Sequence, residues 1–340
     1  MKKILILLIS IVLVVIHSCR NEDWEFPDFD YTTVYFPYQY PIRTLVLGDY
    51  ETADNTNDNN LTFIISAHIG GIYENTKNHT VNYEIVPTLA ESVVTSLGDS
   101  IRILPPDFYT LNPVNQFIIP KGKFYAGFEV QLNDAFLNDT MAHKISYVVP
   151  VRITSSSLDS VLSGRTDKAD PDPRIAGDWE VTPKDFTLFG IKYINPYHGK
   201  YLYRGQSIIK NEMNETLETI TYRQPYVEFD EIRALTTVNR NTVTLGGTVR
   251  QTPVSPGSFQ MDLTFDDNNN CSLVQNPASD FPVTGTGKFV KDGDMWGNKP
   301  RNAIHLDYQI VVGTNTHYIK DTLVIRDRDV RFEEFVPVVY

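Results

Sequence analysis

From Tyr31 onward the chain is cut into short runs of β-branched and aromatic residues, and no stretch carries a sustained 3.6-residue apolar repeat. That pattern restricts the fold to the all-β class. A helix needs an apolar stripe recurring every three to four residues, whereas a strand buries alternate ones. In the first half the candidate strands are Thr32–Phe36, Ile42–Leu47, Leu61–Ala67, Thr80–Val86, Gln116–Ile119, Phe124–Leu132 and Ser146–Ile153. Turn-prone stretches such as Asp54–Asn60 and Leu104–Asp107 part them. About seven short strands in about 125 residues fit an immunoglobulin-like β-sandwich. A helical turn is expected near Asp134–Met141, where the alternation breaks.

Composition changes between Ser155 and Arg174, where serines give way to the proline-rich Asp170-Pro171-Asp172-Pro173. A stretch this polar packs no core, so 156–174 reads as a linker between a sandwich over 31–155 and a second domain over 175–340. The second half carries eight to ten strand-like segments, from Trp179–Val181 and Phe186–Tyr193 to His317–Ile325 and Val330–Phe335. Short connections between them predict an antiparallel, lipocalin-like β-barrel, with a second sandwich as the other arrangement. Gly177-Asp178-Trp179 has the G-x-W spacing of a first barrel strand. Its tryptophan would plug the barrel floor against Arg326, Arg328 or Arg331.

The N-terminus reads as an export signal. Lys2 and Lys3 precede an apolar run, Ile4–Ile16, that is too short to span a bilayer. The run closes on Ile16-His17-Ser18-Cys19, as a lipoprotein cleavage box requires. Residues 1–18 are then removed, and Cys19 carries the lipid that anchors the protein to a membrane it does not cross. Residues 19–30 form an acidic tether of the kind that accompanies surface display. Losing Lys2 and Lys3 takes the net charge from −12 to −14, which argues against nucleic acid as a partner. With Cys19 lipidated, Cys271 has no partner for a disulfide and reads as a small buried apolar residue.

The first half resembles the N-terminal domain of unknown function of Bacteroides-type surface lipoproteins encoded beside starch-utilisation-like glycan-uptake systems. Tyr31–Pro37, Arg43–Gly48, Leu104–Tyr109, Ile119–Gly122, Leu132–Phe136 and Tyr147–Ile153 carry that resemblance. Tyr193–Tyr201, Gly285–Phe289 and Asp321–Arg328 resemble the domain that accompanies it. The resemblance implies an exported, outer-membrane lipoprotein engaged in glycan capture beside an outer-membrane glycan transporter. It supplies no catalytic residues.

Motifs for chemistry are missing from the sequence. There is no HExxH, CxxC or G-x-S-x-G, and Gly285–Lys288 lacks phosphate-loop spacing. Asp266–Asn270 offers oxygen ligands without the glycine and closing glutamate of an EF-hand, and reads as a hairpin tip. About 165 residues without helical periodicity are too few for a (β/α)₈ glycosidase barrel. No enzyme, metal or cofactor is therefore expected.

Sugar rings stack their C–H faces on aromatic side chains while amides, carboxylates and cations bind the hydroxyls. Two clusters fit that chemistry. One is Tyr193, Asn195, Tyr197, His198, Tyr201, Tyr203 and Arg204, where Tyr201 and Tyr203 share a strand face that serves either sugar or barrel packing. The other is Asp294, Trp296 and Asn298, in a polar loop. Four Asp-(Ser/Thr)-aliphatic triplets, centred on Ser100, Thr140, Ser160 and Thr322, fit an O-glycosylation acceptor pattern. The function expected is accessory glycan binding at the cell surface. The alternatives are an adhesin that binds protein and a barrel that encloses an apolar ligand.

Overall fold

The computed structural model describes residues 29–340; the signal, Cys19 and the tether up to residue 28 lie outside them. The fold is all-β, a sandwich joined to a closed barrel. One sandwich sheet runs, in spatial order, Ser160–Val161, Thr33–Tyr35, Thr62–Gly70, Tyr125–Leu132 and Tyr109–Asn112. The facing sheet runs Glu333–Glu334, Pro41–Val46, Phe186–Ile194, Tyr147–Ser156, His79–Ile85 and Gln116–Ile119. Alternate residues such as Val34, Ile65, Val81, Phe128, Val149 and Val151 meet between the sheets, with Tyr83 and Phe128 stacked at 3.9 Å. Tyr147–Val151 is buried at every position because its second face, through Val148, packs on another cluster with Leu89, Ile101 and Phe335.

The domain boundary differs from the one composition suggests. Phe186–Ile194 pairs in parallel with Pro41–Val46 and antiparallel with Tyr147–Ser156, so it is a central strand of the sandwich. After the barrel, the chain returns. Glu333–Glu334 pairs with Pro41 and Ile42, and Pro337–Val339 pairs with Val93–Thr95. The barrel is thus inserted between two segments of the sandwich. The 156–174 stretch is no free linker. The Asp159 carboxylate accepts the Thr32 amide at 2.8 Å, and Arg174 donates to the Leu89 and Glu91 carbonyls.

The barrel closes eight antiparallel strands: Gly199–Lys210, Glu231–Thr237, Thr242–Thr248, Ser258–Phe265, Asn270–Gln275, Val283–Trp296, Lys299–Val312 and Asn315–Asp327. Pairing of the last with the first removes both edges. Thr216–Tyr222 adds a hairpin on the far half of the first strand. Inward residues fill the interior, among them Tyr201, Tyr203, Leu245, Met261, Leu306, Tyr308 and Leu323. The outer face carries Lys288, His305, Asp307, Gln309 and Lys320, unlike the apolar outer band of a membrane-spanning barrel. No helix among the described residues is long and apolar enough to cross a membrane.

The expected tryptophan plug is not formed. Gly177-Asp178-Trp179 lies outside the barrel in a 3₁₀ turn, and the Trp179 indole donates to the Asp172 carbonyl at 2.8 Å. Asp266–Asn270 makes a hairpin turn whose Asp266 carboxylate accepts the Asn268 and Asn270 amides. Burial pushes the Cys271 thiol up to about 12, which leaves it an unreactive core group.

Candidate functional site

The first predicted cluster is mostly structural. Tyr193 is packed in the sandwich core, its hydroxyl on the Leu137 carbonyl. Asn195 is fully buried and donates to the Asn239 and Thr242 carbonyls of the barrel. Tyr197 stacks on Phe265 with ring centroids 3.6 Å apart. Tyr201 and Tyr203 do share a face, but it is the barrel interior: their hydroxyls reach the Tyr197 carbonyl and Asp321. Arg204 is buried in an ion pair with Asp230. None of these six side chains is free to stack on a sugar.

His198 is partly buried at the domain junction. Its Nδ1 accepts the Thr237 amide at 3.0 Å, so the ring is held neutral. Burial, reinforced by the Arg328 guanidinium, lowers its pKa to about 4. The unfolded chain takes up this proton near 6.5 and the folded chain resists it, so this residue's contribution to stability is lost as pH falls from 6.5 towards 4. The expected loss is about 3 kcal/mol. Urea unfolding at pH 7.5 and pH 4.5 checks it: His198→Asn, which keeps an acceptor, should narrow the difference by about that amount, the rest belonging to His68, His79, His143 and His317, whose pKa values burial also lowers.

The second cluster lies on the long hairpin Val283–Trp296/Lys299–Val312. Asn298 occupies its two-residue turn at φ +59. Trp296 stacks on the Arg301 guanidinium at 4.4 Å and donates to the Ile325 carbonyl, and Asp294 pairs across the hairpin with Arg301. Trp296 therefore braces Arg301 rather than facing a ligand. The hairpin nevertheless borders a polar cleft, lined by residues that no sequence motif singles out.

This cleft opens between the sandwich loop 48–59 and the hairpin. Its volume is about 590 Å³, and Asp49, Tyr50, Asn55, Asn59, Lys299 and Asn302 line it. The loop is held rigid. Asp58 is buried, pairs with Arg43 and accepts the Val46 amide, while Asn55 donates to the Val46 and Gly48 carbonyls. Gly48 sits at φ +80, where a Cβ would come within 2.7 Å of Pro196. Two ion pairs fix the opposite wall, Lys291 to Asp49 at 3.1 Å and Arg301 to Glu51.

Beneath the cleft, Arg328 fastens the two domains together. It is 4 % exposed and donates to four carbonyls: Leu47 and Asp49 of the sandwich loop, and Asn195 and His198 of the connection. Arg328 is one of the three arginines expected near the barrel end, with carbonyls in place of a tryptophan as partners. In the sequence Tyr50, which no motif marks, stands out only as an aromatic residue within the polar stretch Gly48–Asn60.

Residues 196–329, which bound the barrel, match DUF5627, a domain of unknown function. Residues 29–160 match a family described as an N-terminal domain. A solved structural-genomics protein of unknown function from Bacteroides ovatus is 34% identical, with a TM-score of 0.83 over 92% of this chain and 100% of that one. The chain belongs to that protein's family. Other solved structures are less similar. A Bacteroides ovatus multidomain protein including DUF1735 is 12% identical, at TM-score 0.43 over 88% of this chain and 97% of that one. A Bacteroides thetaiotaomicron protein described as an auxiliary nutrient binding protein is 13% identical, at TM-score 0.37 over 86% and 95%. No curated protein matches the chain.

The predicted O-glycosylation residues fall in different settings. Ser100 and Thr140 are exposed, Ser160 lies on a short edge strand, and Thr322 lies on a barrel strand with its hydroxyl beside His305. Among the described residues no His, Cys, Asp and Glu side chains gather as a metal site.

Proposed function

We propose that this protein is a non-catalytic accessory glycan-binding protein of the cell surface, lipid-anchored in the outer membrane through Cys19 and working beside a glycan transporter. The observation that carries this reading is the interdomain cleft. It presents one tyrosine ring among amides, carboxylates and ammonium groups, the mixture a sugar needs for stacking and hydroxyl recognition. A loop and a hairpin held by ion pairs and buried hydrogen bonds form its walls, so little ordering is lost on binding.

The test is migration of the purified protein in gels containing host and plant polysaccharides. One glycan class is expected to retard it saturably. Tyr50→Ala should weaken that retention about tenfold, equivalent to about 1.4 kcal/mol, with thermal unfolding unchanged. Equal retention of the variant would remove the cleft from the account. No retention by any glycan would move the reading to a protein-binding adhesin.

A further inference from the structure

A second concavity lies on the sandwich, away from the cleft. Phe36, Tyr38, Ile42, Phe189 and Phe332 line a groove of about 390 Å³. Its roof is Val330–Phe332, the chain returning from the last barrel strand, with the Phe332 ring 4.8 Å from that of Tyr38. Tyr38 is 47 % exposed and Phe332 62 %, so two large rings stand at the mouth of the groove without joining the core. The groove is more apolar than a sugar requires.

Thr44, Val330 and Arg331 are shared with a neighbouring cavity of about 560 Å³. That cavity is cationic within a protein of net charge −12. Its two carboxylates, Glu333 and Asp329, are taken by Lys192 and Lys200. Among the described residues neither Arg331 nor Lys144 has a carboxylate within ion-pair distance. An apolar groove with an uncompensated guanidinium on its shared wall matches one kind of ligand by charge and by surface.

We infer that this groove binds an amphipathic carboxylate, its apolar body between Tyr38 and Phe332 and its anionic head on Arg331, with Lys144 beside it. The body is either an aliphatic chain or an aromatic ring. This site is separate from the interdomain cleft and does not depend on the glycan reading.

Calorimetric titration of the purified protein with dodecanoate and with 4-hydroxycinnamate distinguishes the two bodies, and the methyl ester of each removes the charge. At least one acid is expected to bind saturably, about tenfold tighter than its ester. Arg331→Ala should remove that preference, and Phe332→Ala should weaken acid and ester alike. Both residues are exposed, so the fold should survive; Tyr50→Ala should leave this binding unchanged. Equal affinity for acid and ester, or no saturable binding of either acid, would overturn the inference.

Discussion

Replacing Arg328 with alanine is expected to lower the free energy of unfolding by about 3–5 kcal/mol, far above the usual effect of a single substitution. The guanidinium satisfies four carbonyls that belong to the sandwich loop and to the connection into the barrel. Removing it leaves the buried Leu47 oxygen and the half-buried Asp49 and His198 oxygens without this donor, each a loss of up to about 1–3 kcal/mol before relaxation, while the Asn195 oxygen keeps the His198 amide. Arg328→Lys should recover little, because an ammonium group lacks the planar fork that reaches several acceptors at once. Urea unfolding checks both variants. The alanine variant should also melt in two steps, sandwich and barrel having lost their common anchor. A single transition with a loss below about 1 kcal/mol would show that the ion pairs flanking the cleft suffice to hold the domains.

The second large effect is expected inside the barrel. Asp321 is buried and accepts three tyrosine hydroxyls, those of Tyr203 and Tyr308 at 2.7 Å on one oxygen and that of Tyr222 on the other. Burial raises its pKa while the tyrosine donors pull it back. Gly205 makes room for the carboxylate: a Cβ there would lie 2.0 Å from Asp321 Oδ1. Asp321→Ala strands the two buried donors of Tyr203 and Tyr308 and the half-buried one of Tyr222, and should destabilise by about 3–5 kcal/mol. Tyr203→Phe leaves the other two donors in place and should cost about 1 kcal/mol. Gly205→Ala should approach the Asp321→Ala effect, because the methyl group has no space to enter. Chemical denaturation of the three variants gives the order. A Tyr203→Phe loss equal to that of Asp321→Ala would mean that the cluster acts as one cooperative unit.

The all-β class was legible because alternation is a local property that each strand carries by itself. Placing strands in domains was not, and Phe186–Ile194 shows why. A strand covered on both faces loses its polar alternation, so nothing in it tells sandwich from barrel. Segment 156–174 misled in the opposite direction. Its composition is that of a linker, yet Asp159 and Arg174 tie it to residues more than eighty positions away.

The site followed the same logic. Alternation correctly put Tyr201 and Tyr203 on one face, but it does not say whether that face looks inward. Trp296 stands among polar residues at the end of a barrel strand, not in the loop expected for it, because it braces Arg301. The cleft joins residues about 240 positions apart, Tyr50 with Lys291 and Lys299, and only the long-range docking of hairpin on loop brings them together. Gly205, in contrast, was a usable signal: a glycine within a strand marks a close approach, here that of a carboxylate.

Amide hydrogen exchange across the whole chain, with and without a panel of host and plant oligosaccharides, tests the central claim most directly. One glycan class is predicted to slow exchange in residues 48–59 and 291–302, the two walls of the cleft, and to leave the barrel strands unchanged. Protection confined to any other part of the chain, or none with any glycan in the panel, would contradict a sugar site between the domains.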